Sequence, residues 1–111
     1  MTDKSKQNKL VELPNTLSIN VTLGLKHCNK NKALYYKVLN NFVKRYQDID
    51  LNSLKEEELI RTIHSLKGLS ATLGMTQLSE ILSELESTNS KTIINKFENE
   101  LKIVCQAITI I

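Results

Sequence analysis

Apolar residues recur along this chain at intervals of three and four, not two. Leu34, Tyr35, Val38, Leu39, Phe42, Val43 and Tyr46 make one broad face, which predicts a helix from about Lys32 to Gln47. Leu59, Ile63, Leu66, Ser70 and Leu73 share a narrow sector at about 100° per residue and predict a second long helix, ending at Gly74. Leu78, Ile81, Leu82 and Leu85 predict a third from about Met75 to Ser87. Ile93, Ile94, Phe97, Leu101, Val104, Cys105, Ile108 and Ile111 predict the last. A shorter helix is expected over about Val21 to Cys28, capped by Asn20 and ended by Asn29-Lys30-Asn31. No stretch alternates as a strand does. The pattern predicts an all-α fold: an antiparallel up-and-down four-helix bundle with a short extra N-terminal helix, occupying residues 13–111.

Local signals refine the boundaries. Ser53-x-x-Glu56 reads as a capping box, and Glu56, Glu57 and Glu58 favour the positive end of a helix dipole. Pro14-Asn15-Thr16 reads as a turn, and Ser87 to Ser90 as a loop carrying a cap. Residues 1–12 lack periodicity, are rich in Lys, Asn and Ser, and read as a mobile tail or the end of a linker.

Size narrows the function. A chain of 111 residues allows one domain, able to hold a core without metals or disulfides. The length excludes most free-standing enzymes that carry a cofactor domain. No apolar run approaches the ~18 residues of a membrane span, and the polar N-terminus is no signal peptide, so a soluble, cytoplasmic protein is expected. Cys28 and Cys105 lack CxxC spacing, which indicates neither a zinc site nor a redox pair.

The net charge of +3 hides blocks of one sign. Lys26 to Arg45 holds six bases and no acid. Acids dominate from Asp48 to Glu58, and Glu80, Glu84 and Glu86 follow without a base. Separate charged faces result, not a nucleic-acid stripe; most are solvated helix surface, and a basic face also suits encounter with an acidic protein partner.

The helix that carries the Leu59 to Leu73 sector has an unusual outer face. His64 points about 140° from the centre of that sector, Gly68 follows one turn later, Ala71 lies two turns on, Ile60 one turn before, and Lys67 three residues after. A glycine inside a helix costs ~1 kcal/mol relative to alanine. Its physical use here is clearance, because a large partner can reach the imidazole past a residue with no side chain. A neutral imidazole is a nucleophile at physiological pH. One histidine without further ligands suits no metal, no Ser or Cys is placed to make it a triad base, and no cofactor cradle is near. An exposed nucleophile beside a cation fits a phosphoryl acceptor, with Lys67 offsetting charge on the phosphoryl oxygens. An ordinary surface histidine is the plain alternative on these grounds alone. His27, at the end of the short helix, is accounted for by interaction with that helix's C-terminus.

The run His64-Ser65-Leu66-Lys67-Gly68-Leu69-Ser70-Ala71-Thr72-Leu73-Gly74, with Leu78, Leu82, Leu85 and Glu86 beyond it, resembles the histidine-containing phosphotransfer (HPt) domain. The upstream stretch Ala33 to Leu39 with Phe42, and Leu13-Pro14 with Leu23-Gly24-Leu25, resemble HPt domains of bacterial hybrid sensor kinases. The resemblance covers about residues 13–105 and departs from the family pattern at Ile63, Leu69 and Met75. It implies a phosphocarrier without an ATP site. His64 would accept a phosphoryl group from a receiver-domain aspartate of a hybrid sensor kinase and pass it to the aspartate of a response regulator. Lys67 would face the phosphoryl group and Gly68 give clearance. The receiver would supply Mg²⁺, so this domain needs no cofactor of its own. Ile60, Arg61 and Ala71 would surround His64 in the docking surface. A monomer is expected, without membrane or nucleic-acid contact, cut from the C-terminal end of a sensor kinase or free-standing.

Antiparallel geometry adds one residue. If the helices on either side of Gly74-Met75 fold back, facing residue numbers sum to about 149 or 150, so His64 meets Leu85 or Glu86. Leu85 belongs to the core, which leaves Glu86 to orient the His64 ring through a hydrogen bond. Two other functions compete. Leu69 to Thr76 resembles the first helix and turn of a helix-turn-helix, but Glu80 and Ser83 stand where buried apolar residues are needed, and three glutamates would face phosphates. A non-catalytic helical adaptor explains the core but leaves Gly68 and exposed His64 without a reason.

Overall fold

Polar residues at the predicted breaks start helices by one device. The side-chain oxygens of Asn20, Asn31 and Ser90 accept the backbone N–H groups of Leu23, Leu34 and Ile93 at 3.0, 3.0 and 3.2 Å. The computed structural model describes residues 13–88 and 90–109, and among them the regular elements are helices, with no strand. They are α1 (Val21–His27), α2 (Lys32–Tyr46), α3 (Glu56–Thr72), α4 (Thr76–Ser87) and α5 (Lys91–Ile108), with a 3-10 turn over Leu51–Ser53 before α3. The tail expected over 1–12 and the core position expected for Ile111 lie outside the described residues. No described helix is long and apolar enough to cross a membrane.

The capping box expected at Ser53 does not form. The Ser53 hydroxyl donates to the Asp50 carbonyl at 2.8 Å, and the Asp50 carboxylate accepts the Asn52 amide at 3.0 Å. Leu51 is buried between them, which commits this segment to a tight turn of its own. Helix α3 therefore starts later, with Lys55 at its N-cap and no side-chain cap bond, though Glu56, Glu57 and Glu58 still occupy the first turn. The N-terminal bend lies at Leu17-Ser18, slightly beyond Pro14-Asn15-Thr16, because the Thr16 hydroxyl gathers the Ser18 and Ile19 amides.

The helical faces bury as their spacing predicts. Tyr35, Leu39, Phe42 and Tyr46 of α2, Ile63, Leu66 and Ser70 of α3, Leu78, Leu82 and Leu85 of α4, and Ile94, Phe97, Leu101, Val104, Cys105 and Ile108 of α5 form one core. Leu34 is the exception on α2 at 44% exposure; it sits about 100° from Tyr35, at the edge of the apolar face. Helix α4 packs against both α3 and α5, α2 against α5, and α1 against both α2 and α3.

The α3–α4 corner is a Schellman motif: Met75 N–H donates to the Ser70 carbonyl at 2.8 Å and Gly74 N–H to that of Ala71 at 3.2 Å. Gly74 has φ +86°, and a Cβ there would collide with the Asn20 carbonyl oxygen. The chain then closes over the end of α3. Thr72 O accepts from His27 Nδ1 at 2.8 Å, Leu73 O from the Tyr35 hydroxyl at 2.8 Å, and Gly74 O from the Asn20 amide at 2.7 Å. His27 thus serves the C-terminus of α3 across the fold, not only that of its own helix. Burial pushes the Tyr35 hydroxyl up to about 12, so it stays a donor at any ordinary pH. Gly24 lets α1 approach this corner, since a Cβ on it would meet the Tyr35 ring and the Leu73 carbonyl. Gly74→Ala is expected to lower stability by about 2 kcal/mol or more, through left-handed backbone strain and displacement of Asn20. A fall in the urea midpoint at constant m-value checks it.

Candidate functional site

Helix α3 carries His64 at its middle, well away from fraying ends, and turns its Leu66 and Ile63 neighbours into the core. The His64 side chain is 75% exposed. Its Nδ1 lies 3.2 Å from Glu86 Oε2, near the end of α4. Glu86 Oε1 accepts from Lys67 Nζ at 2.6 Å. One carboxylate therefore bridges the two candidate residues of α3, as the antiparallel register predicts. A long bond from Ser79 Oγ to the Lys67 carbonyl, 3.4 Å, ties the helices together one layer nearer the corner.

The ammonium of Lys67, and next the His64 ring, hold the Glu86 carboxyl below the usual carboxylate range. Glu86 is ionised at neutral pH and can only accept. Nδ1 is accordingly the protonated nitrogen of the ring, and in the neutral imidazole the lone pair sits on Nε2. An imidazole fixed in this way offers a nucleophilic nitrogen to solvent without further proton movement.

Around the ring, the neighbours divide. Lys67, Ile60 and Ala71 lie on the side that faces α4, and Gly68 and Arg61 on the other side. A Cβ built on Gly68 meets nothing within 4 Å, and its φ is not positive. Neither packing nor backbone geometry asks for glycine there. Glu86 closes one flank of His64 and Gly68 leaves the other bare.

Ile60 is 60% exposed and rims a groove of about 530 Å³ with Leu59, Ile63, Leu85 and Glu86. Arg61 lines a different groove, with Arg45 and Tyr46 of α2, where the Arg45 guanidinium lies 5.4 Å from the Tyr46 ring centroid. Ala71 is exposed two turns beyond His64. The sequence reading missed Leu59 and Leu85 as walls of the Ile60 groove, because each also reads as core. Their position at the rim follows from the same register that places Glu86.

A search with family models matches residues 38–108 to the Hpt domain. No curated protein and no solved structure gives a match. The matched stretch holds most of α2 and all of α3, α4 and α5, and with them His64, Lys67, Gly68 and Glu86. The chain belongs to the Hpt domain family.

Proposed function

We propose that this domain carries a phosphoryl group on Nε2 of His64, taken from the aspartyl phosphate of one receiver domain and given to the aspartate of another. The observation that carries this reading is the exposed His64 ring, bonded at Nδ1 and open at Nε2, in a member of a family of phosphocarriers. The Nε2 lone pair attacks phosphorus; the N–P bond forms as the P–O bond to the donor aspartate breaks, and that aspartate leaves as a carboxylate. The proton on Nδ1 stays where it is, and Glu86 balances the positive ring that results. Delivery is the same step in reverse, with the acceptor carboxylate as nucleophile. Lys67, which shares Glu86 with the His64 ring, turns from it towards the phosphoryl oxygens as they arrive. The receiver supplies Mg²⁺ for its own aspartate. Ile60, Arg61 and Ala71 border the approach, and Gly68 gives it room.

The helix pairings support an up-and-down four-helix arrangement, in which α3 and α4 present one stiff surface to the receiver. In this reading the domain acts as a monomer in the cytoplasm, between the receiver of a hybrid sensor kinase and a response regulator. Incubation with a phosphorylated receiver tests it. An acid-labile, alkali-stable phosphoryl group on this chain is the expected result. No transfer from any of several receivers would favour a helical adaptor instead.

Glu86 acts as a positioning residue here. Glu86→Ala is expected to slow transfer roughly tenfold, the rate equivalent of losing a hydrogen bond to a charged group worth about 1.5 kcal/mol, with Glu86→Gln recovering part of the rate through its amide oxygen. Ring ¹⁵N shifts of His64 provide the second readout. They should report one tautomer in the wild type and a mixture in Glu86→Ala, which a merely structural role would not produce.

A further inference from the structure

Orienting an imidazole asks only for a hydrogen-bond acceptor, and an amide oxygen would serve. Near the end of α4 the residue is instead a carboxylate, with both oxygens engaged: Oε2 accepts from His64 Nδ1 at 3.2 Å and Oε1 from Lys67 Nζ at 2.6 Å. Resting on the carrier reading above, we propose that Glu86 has a second task, in delivery: its charge keeps the Nδ1 proton on the phosphorylated His64 ring, so that the ring leaves phosphorus as a neutral imidazole.

The demand comes from the leaving group. A ring phosphorylated at Nε2 and protonated at Nδ1 is a cation of the imidazolium class, and such cations give up a proton within the physiological pH range. When the acceptor carboxylate attacks, the O–P bond forms, the N–P bond breaks and its electron pair returns to Nε2. With the proton still on Nδ1, the departing group is neutral imidazole. Without it, the departing group is imidazolate, a far stronger base and a poorer leaving group. A side chain that holds the proton therefore keeps the domain able to deliver.

Among the described residues, Glu86 is the charged group placed to do so. Arg61 lies on the opposite flank of the ring, in the groove it shares with Arg45 of α2. Glu57 stands two turns before His64 on α3. His27 of α1 is committed to the Thr72 carbonyl, two turns beyond. Lys67 draws on the same carboxylate at rest and turns to the phosphoryl oxygens during transfer, which leaves the whole charge of Glu86 to the ring. The Glu86 and Lys67 side chains are 31% and 33% exposed, so salt screens this contact less than it would a fully exposed pair.

The test phosphorylates the full chain with phosphoramidate, a small N–P donor, so that the first readout needs no receiver. Ring ¹⁵N shifts then follow the Nδ1 proton as pH rises. The pH at which half of the phosphorylated rings have lost it is expected to lie at least about one unit higher in wild type than in Glu86→Gln, the effect of an opposite charge at this range. Lys67→Met breaks the same bridge between α3 and α4 without removing the carboxylate, and its midpoint should be at least as high as that of wild type. With one receiver as acceptor, the ratio of the wild-type to the Glu86→Gln delivery rate should grow about tenfold between the two midpoints. Coincident titrations of wild type and Glu86→Gln, a Lys67→Met midpoint as low as that of Glu86→Gln, a constant delivery ratio, or a phosphoryl group on Nδ1 would overturn the proposal. Titrations that separate as expected while no receiver accepts the phosphoryl group would count against the carrier reading instead.

Discussion

His64→Gln is expected to abolish phosphoryl acceptance altogether while leaving the fold untouched. The side chain is 75% exposed and, among the described residues, its hydrogen-bond partner is Glu86, so its removal uncovers no core and opens no cavity. Glutamine retains an amide that can still donate to Glu86, but it has no nitrogen lone pair able to attack phosphorus. Label from a phosphorylated receiver should fall to background, a loss far beyond the roughly tenfold effect expected for Glu86→Ala. An unchanged urea midpoint would show that chemistry, not folding, was lost. His27→Gln gives the contrast. That ring donates to the Thr72 carbonyl at the end of α3, so its replacement should touch stability and leave labelling intact. Label retained in His64→Gln would place the phosphoryl group elsewhere and refute the assignment.

The parts of this molecule that follow from helical period were legible in the chain itself. Angular arithmetic on one helix turned His64 away from Leu66 and Ile63, and a fold-back about Gly74 brought Glu86 to it. Both inferences need only 3.6 residues per turn and a sharp corner. What stayed hidden depends on where elements dock. Ser53 reads as a cap because its spacing to Glu56 is right, yet buried Leu51 pulls the segment into a separate turn. His27 reads as serving its own helix, and the donation to Thr72, 45 residues away, arises only once α1 lies across the corner. The unpartnered Oε2 of Glu100 is equally invisible in the chain, since a glutamate at the edge of an apolar face ordinarily reaches water.

The three glycines separate structure from function. Gly74 is demanded by its φ of +86° and by Asn20, and Gly24 by the Tyr35 ring and the Leu73 carbonyl. Nothing among the described residues demands Gly68: a Cβ there has no neighbour within 4 Å. Stability alone would replace it, since alanine in a helix interior is worth ~1 kcal/mol over glycine. Gly68→Ala should therefore raise the melting temperature by about 4–8 °C, the shift that such a gain produces in a domain of this size. Gly68→Gln should gain nearly as much, because glutamine is also a good helix former. Transfer should move the other way. The glutamine side chain introduced by Gly68→Gln would occupy the bare flank of His64 that a receiver crosses in the proposed transfer, and a clash costing ~1.4 kcal/mol in the transfer complex is already tenfold in rate. A stabilised protein that transfers at least about tenfold more slowly is the expected signature, with Gly68→Ala intermediate because a methyl group intrudes less. A stabilised Gly68→Gln protein that transfers at the wild-type rate would show that the receiver does not approach over Gly68, and the clearance role would have to be abandoned.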